Sequence, residues 1–233
     1  TVAFKNQIYS YPLSMALSDG YIKKPSVATR ENFRASDYNA DELEKLKLED
    51  GIHVHEECKV QLDFYAREND VERVKPFMLV VAKSIEHAGT LMNTIESDKF
   101  FDGRYQGKVI QVHSESKAAE KDDVIQQLLS VEDPENPVEI VIHVNMLKEG
   151  WDVTNLYTIV PLRAANSKTL VEQSIGRGLR LPYGKLTGNK AVDRLTIVAH
   201  EKFQEIIEHA KSGESILVTG ITIGTDIPDK KSQ

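Results

Sequence analysis

From residue 71 to residue 211 the chain alternates short apolar runs with stretches whose apolar positions recur every three or four residues. That rhythm leaves few folds open, because strands joined by crossover helices pair in parallel and carry the helices on the faces of the sheet. Residues 77–82, 108–113, 138–144, 156–162 and 195–199 read as strands. The run 138–144 is almost unbroken in its apolar character, as expected at the buried centre of a parallel sheet. Between the strands lie helical stripes: Ile85, Ala88, Leu91, Met92 and Ile95, then Val124, Ile125, Leu128 and Leu129, then a helix from Ser167, and a last one over 201–211 with Gly213 as its stop. Five strand–helix units predict an α/β fold with a doubly wound, mostly parallel sheet.

The flanks have a different texture. Residues 1–35, with Pro12, Pro25 and few periodic apolar positions, read as a lead-in from a preceding domain. Residues 36–70 turn helical, with Leu43, Leu46, Val54, Cys58, Leu62, Tyr65 and Ala66 at threes and fours, and Gly51 reads as separating two helices or bending one. The sheet domain is therefore expected over 71–212. Residues 213–233 follow as an edge strand, alternating over 215–224, and a polar tail.

A single cysteine, Cys58, rules out an internal disulfide and fits a reducing compartment. No stretch approaches the roughly eighteen apolar residues that span a bilayer, and the first residues carry no secretory pattern, so the reading is cytoplasmic with no membrane partner. The net charge of −7 runs against a general nucleic-acid binder, but it is unevenly placed. Residues 160–190 hold Arg163, Lys168, Arg177, Arg180, Lys185 and Lys190 against Glu172 alone, a local basic wall on an acidic body.

Two phrases carry the chemistry. The first, Asn145-Met146-Leu147-Lys148-Glu149-Gly150-Trp151-Asp152, directly follows the central strand; the second is Gln173-Ser174-Ile175-Gly176-Arg177-Gly178-Leu179-Arg180. Ligands of open parallel sheets gather where strands end, which is where the first phrase falls. In the second, Arg177 and Arg180 are three apart, so on a helix both leave one face and can reach one ligand. A guanidinium keeps its charge and presents forked donors, which suits phosphate oxygens and the charge that develops in phosphoryl transfer. The flanking glycines would let another backbone or a nucleotide come close.

In this order the two phrases resemble motifs V and VI of the superfamily 2 helicases. The wider wording, with Val153-Thr154-Asn155-Leu156 after the first phrase and Leu170-Val171-Glu172-Gln173 opening the second, resembles the Res subunit of type III restriction-modification enzymes. The likeness runs over 71–211 and extends to 20–30. It implies a RecA-like helicase C-terminal domain, the second motor domain of an ATP-dependent DNA translocase within a restriction endonuclease. By the same resemblance Arg177 and Arg180 are catalytic and face the γ-phosphate of ATP, with Arg180 the finger. Gly150, Asp152 and Gln173 complete the ATP-binding set, and Lys83, Ser84, His113, Ser114 and Asn145 lie at strand ends that track DNA. The whole enzyme is implied to use ATP and Mg²⁺ and to contain a P-loop domain N-terminal to residue 1 and a nuclease domain beyond residue 233. A methyltransferase (modification) subunit is the implied partner.

Plainer readings stand beside these. Ser84 reads equally well as a helix cap, and Asn145 as a cap for the next turn, because Val144 stands where many superfamily 2 helicases carry a DNA-contacting threonine. Trp151 reads as a packing anchor before a base-stacking platform. His53 and His55 would point apart on a helix, and no metal constellation is visible. Glu115-Ser116-Lys117 mimics half a nuclease site without its upstream aspartate. No Gly-x-x-x-x-Gly-Lys-Ser/Thr loop occurs, so the chain taken alone lacks a phosphate cradle and a holder for Mg²⁺, and is expected to be inactive alone. An excision-repair type of helicase and a non-catalytic helicase-like interaction module are the alternatives.

Overall fold

The computed structural model describes residues 11, 13–113, 126–128, 130–144, 153–162, 178–200 and 219–227. Seven strands form one sheet: β1 Lys24–Arg30, β2 Phe77–Val81, β3 Val109–His113, β4 Ile140–Val144, β5 Leu156–Pro161, β6 Arg194–Val198 and β7 Thr219–Ile223. Their order is β3-β4-β2-β5-β6-β1-β7, and every pairing is parallel. The fold is therefore α/β with a parallel sheet, and β2 to β6 are the strands read from sequence. β4 and β5 flank β2, so the segments after them, which carry the first phrase and residues 163–168, leave the carboxyl edge on either side of the central strand.

Side chains alternate across the pleat and build two cores. Leu79, Val141, Ile159, Leu195 and Ile197 lie in one, and Met78, Val80, Ile142, Val160 and Val198 in the other. The second is covered by α2 Ala40–Asn69 and α3 Ile85–Ile95. A short helix, α1 Leu13–Ser18, precedes β1.

The 30-residue α2 begins at Asn39, whose side chain accepts from Asp41 N and Glu42 N while Glu42 reaches back to Asn39 N, a reciprocal capping box. It ends at Asp70 in the left-handed region. Leu48, Ile52, Cys58, Leu62 and Ala66 form its buried stripe. The helix continues unbroken through Gly51, which the sequence suggested as separating two helices or bending one. The glycine instead sets the distance between helix and sheet, because a Cβ there would lie 2.3 Å from Val160 Cγ2 and 3.1 Å from Met78 Sδ.

Charged clusters hold α2 at both edges. At the carboxyl edge, buried Asp50 accepts from Arg30 Nε at 2.7 Å on Oδ2 and from Arg30 Nη2 at 2.5 Å on Oδ1, and His200 Nε2 lies 2.8 Å from Oδ2. At the amino edge, Glu139 takes Lys59 Nζ and Lys108 Nζ, each at 2.7 Å, and faces His55 Nε2 at 3.4 Å. Burial works against both carboxylates, yet these partners hold each well below the ordinary range.

β1 is a finding that the sequence reading did not contain, since residues 24–30 fall within the expected lead-in. The strand pairs with β6 on one side and β7 on the other. β7, at the sheet's end, lies within the stretch read as an edge strand.

Candidate functional site

The carboxyl ends of four strands line up. His113 pairs with Val144, and Val81 pairs with both His143 and Pro161. Ser114 and Asn145 follow the first two of these ends but lie outside the described residues, as do Gly150, Asp152, Gln173 and Arg177; of His113 only the backbone is described. The structure does bring Lys83, Ser84 and the end of β3 to one edge, as the sequence suggested.

Ser84 caps α3, its Oγ accepting from His87 N at 3.1 Å. Lys83 Nζ lies 2.5 Å from Glu44 Oε2, and its backbone N–H donates to His87 Nδ1 at 3.1 Å. With Nδ1 accepting, the ring carries its proton on Nε2, which sits 2.7 Å from Glu44 Oε1. Glu44 is partly buried, but Lys83 and His87 hold its carboxyl below the usual range. The edge after β2 is thus a fixed cluster of one carboxylate, one lysine and one histidine.

The tail of the first phrase is tied down from several directions. Thr154 donates from N at 2.6 Å and from Oγ1 at 2.7 Å to Glu132 Oε1. Buried Asn155 donates from Nδ2 to Lys75 O at 2.8 Å and to Val131 O at 3.0 Å. Lys23 Nζ donates to Thr154 O and, at 2.9 Å, to Leu156 O. The Lys23 amine thus occupies two backbone carbonyls where the chain enters β5, and the Asn155 amide ties that entry to the carbonyls of Lys75 and Val131.

The tail of the second phrase rests on the same place. A Cβ on Gly178 would lie 2.7 Å from Leu156 Cδ2 and 3.0 Å from Leu156 Cγ. This glycine therefore permits a close side-chain approach inside the domain, where the sequence suggested room for a backbone or nucleotide. Leu179 accepts from Lys23 N at 2.6 Å, and Arg180 forms an isolated antiparallel bridge with Ile22. Leu179 and Leu181 are buried at 1% and 6% exposure, while Arg180 between them is exposed.

Sequence reasoning missed Lys23, Glu132 and Asn155. Asn155 had a signal, a polar residue between Val153 and Leu156 in an otherwise apolar run; Lys23 and Glu132 had none, since neither breaks a pattern. Among the described residues no group of three or more histidine, cysteine, aspartate or glutamate side chains is placed to hold a metal ion, and no helix is long and apolar enough to cross a membrane.

The chain belongs to the family of the helicase conserved C-terminal domain, which matches residues 64–182 and includes both phrases. It is similar to the Res subunit of the type III restriction-modification enzyme EcoP15I of Escherichia coli, 32% identical over 115 residues that make up 42% of this chain and 11% of that protein. The EcoPI Res subunit of Escherichia phage P1 is 32% identical over 105 residues, 38% of this chain and 10% of that protein. The chain thus spans about a tenth of the length of these curated relatives. Among solved structures, the ATP-dependent type ISP restriction-modification enzyme LlaBIII bound to DNA aligns at a TM-score of 0.49 and 13% identity, over 94% of this chain and 17% of that one.

Proposed function

We propose that this chain is the second motor domain of an ATP-dependent DNA translocase in a type III restriction endonuclease, the role of a Res subunit. The observation that carries the reading is the setting of Arg180: exposed between two buried leucines, two residues from a glycine seated on Leu156 at the start of β5. In this reading Arg177 and Arg180 approach the γ-phosphate of ATP bound to a P-loop domain elsewhere in the same protein, with Gly150, Asp152 and Gln173 near the nucleotide. Arg180 stabilises charge on the transferring phosphoryl group, and Arg177 is its ground-state companion. Mg²⁺ is held by the P-loop domain, and this chain alone binds no cofactor and is inactive. The carboxyl-edge residues Lys83, Ser84, His113, Ser114 and Asn145 form part of the DNA track. A methyltransferase subunit is the partner, and the compartment is cytoplasmic.

The similarity to Res subunits supports the restriction part of this reading, and the family match supports the motor part. The test is ATP hydrolysis and DNA cleavage by the intact protein, with and without DNA and a modification subunit. DNA-stimulated hydrolysis with cleavage is expected. Hydrolysis without cleavage under every condition would remove the restriction role and leave a translocase; no DNA-stimulated hydrolysis would return the chain to a non-catalytic helicase-like module.

A further inference from the structure

Lys23 lies far from both phrases in sequence, yet it touches the tails of both. Its side chain is fully buried, and Nζ sits 3.8 Å from the centroid of the Tyr157 ring while donating to Thr154 O and Leu156 O. Its backbone N–H donates to Leu179 O, and its neighbour Ile22 bridges Arg180. Thr154 is two residues past Asp152, and Leu179 is two past Arg177. One residue thus spans the exits of the two phrases, using its side chain for the first and its backbone for the second.

From this geometry we infer that Lys23 is a positioning residue, a strap that fixes the spacing between the entry to β5, which directly follows the first phrase, and the 178–180 turn that carries Arg180. It touches no substrate in this account and acts through Thr154, Leu156, Leu179 and Arg180. The inference rests on the motor reading above for its consequence in catalysis, but its structural part stands separately.

A buried lysine costs folding free energy and needs a compensating use. Burial pulls the Lys23 ammonium down to about 7, against the opposing pull of Glu132. Burial also pushes the Cys58 thiol up to about 12, so near neutrality it contributes no charge. Either protonation state leaves at least two N–H donors on Nζ, enough for both carbonyls, so the strap does not depend on its charge. An apolar side chain of similar length would fill the slot and lie against Tyr157 equally well. What only an amine can do at this position is hold the Thr154 and Leu156 carbonyls. Glu132 works on the same turn from the other side through the Thr154 N–H and hydroxyl, so the first phrase leaves its tail between two clamps.

The test compares Lys23→Met, which keeps the volume and deletes the donors, with Leu48→Ala, a core change in α2 that lies in a different cluster from Tyr157. Hydrogen exchange in the full-length protein should accelerate about tenfold or more in Lys23→Met over residues 153–157, where the two side-chain bonds are lost, with α3 unchanged and residues 178–181, held by the Lys23 backbone, changing less. Leu48→Ala should lower the melting temperature without this local signature. In DNA-stimulated ATP turnover, Lys23→Met should lower kcat roughly tenfold to a hundredfold with KM within about twofold, as misplaced reacting groups do. Glu132→Gln should follow the same split in a milder form. Exchange that is unchanged, or raised evenly over the whole chain, would overturn the strap; normal kcat in a protein with the local exchange signature would overturn its role in positioning. An unsubstituted protein that hydrolyses no ATP would sink the motor reading instead, and the exchange arm would still decide whether the strap exists.

Discussion

Asp50 is the residue on which the attachment of α2 to the carboxyl edge most depends. Its carboxylate is fully buried and takes both Arg30 bonds, with His200 Nε2 2.8 Å from Oδ2. Removing one partner of a buried pair is far more costly than never having had it, because the other charge is left behind. Asp50→Asn is expected to cost roughly 3 kcal/mol in urea unfolding. The sign with pH follows from the depressed carboxyl. In the unfolded chain Asp50 takes up a proton near its ordinary value of about 3.9, while in the fold it stays ionised to lower pH. Its contribution is therefore complete above pH ~4 and lost as the pH falls through the folded value. Asp50→Asn should show a flatter fall of stability below pH 4 than the parent; the same slope in both would assign acid unfolding to other carboxylates, with Glu139 the first to examine.

At the scale of elements, the contact of α2 with the sheet decides the geometry of one whole face. Alanine at position 51 would gain about 1 kcal/mol of helix propensity, but its Cβ would sit 2.3 Å from Val160 Cγ2, and overpacking of that kind costs about 1–3 kcal/mol. Gly51→Ala should therefore destabilise the protein by about 1 kcal/mol net, read as a lower urea midpoint with unchanged slope. A more stable variant would mean that the helix can lift away from β5. The sequence supports only part of this picture. The five strands β2 to β6 were legible because their apolar runs are bounded by helical stripes. β1 was not, because Lys24, Pro25 and Ser26 open it and its partners β6 and β7 lie far along the chain. Gly51 looked like a break because local propensity carries no information on how close a sheet will come. The two phrases were readable from their wording, while their anchors were not: Lys23 and Glu132 belong to other parts of the chain, and only folding brings them to Thr154.

For the molecule as a whole, the basic stretch 160–190 on a chain of net charge −7 predicts weak DNA binding that collapses with salt. One wall of a groove neutralises few phosphates, so single- and double-stranded DNA of any sequence should bind this chain alike. Affinity should fall severalfold or more between 50 and 200 mM salt on the order expected for a few phosphate contacts. Titration by fluorescence anisotropy checks this, and tight binding that ignores salt or selects one sequence would contradict it. For the same reason of incompleteness, calorimetry with ATP and Mg²⁺ on the chain alone should give no submicromolar binding and no turnover, since the sequence holds no phosphate cradle.

In the proposed motor, Arg180 meets a phosphoryl group across a cleft. A guanidinium that engages only when two domains close stabilises the transition state more than bound ATP, so its loss should lower turnover much more than affinity. In other NTPases such a finger contributes on the order of a thousandfold or more to kcat. Arg180→Lys should recover little, because an ammonium supplies charge without the planar fork. The most direct measurement is DNA-stimulated ATP turnover beside nucleotide affinity in the intact protein, for the parent, Arg177→Ala, Arg180→Ala and Arg180→Lys. The account predicts kcat lowered about a thousandfold in both Arg180 variants with nucleotide affinity nearly kept; near-normal turnover in Arg180→Ala would contradict it and leave this arginine a surface residue on a well-held turn.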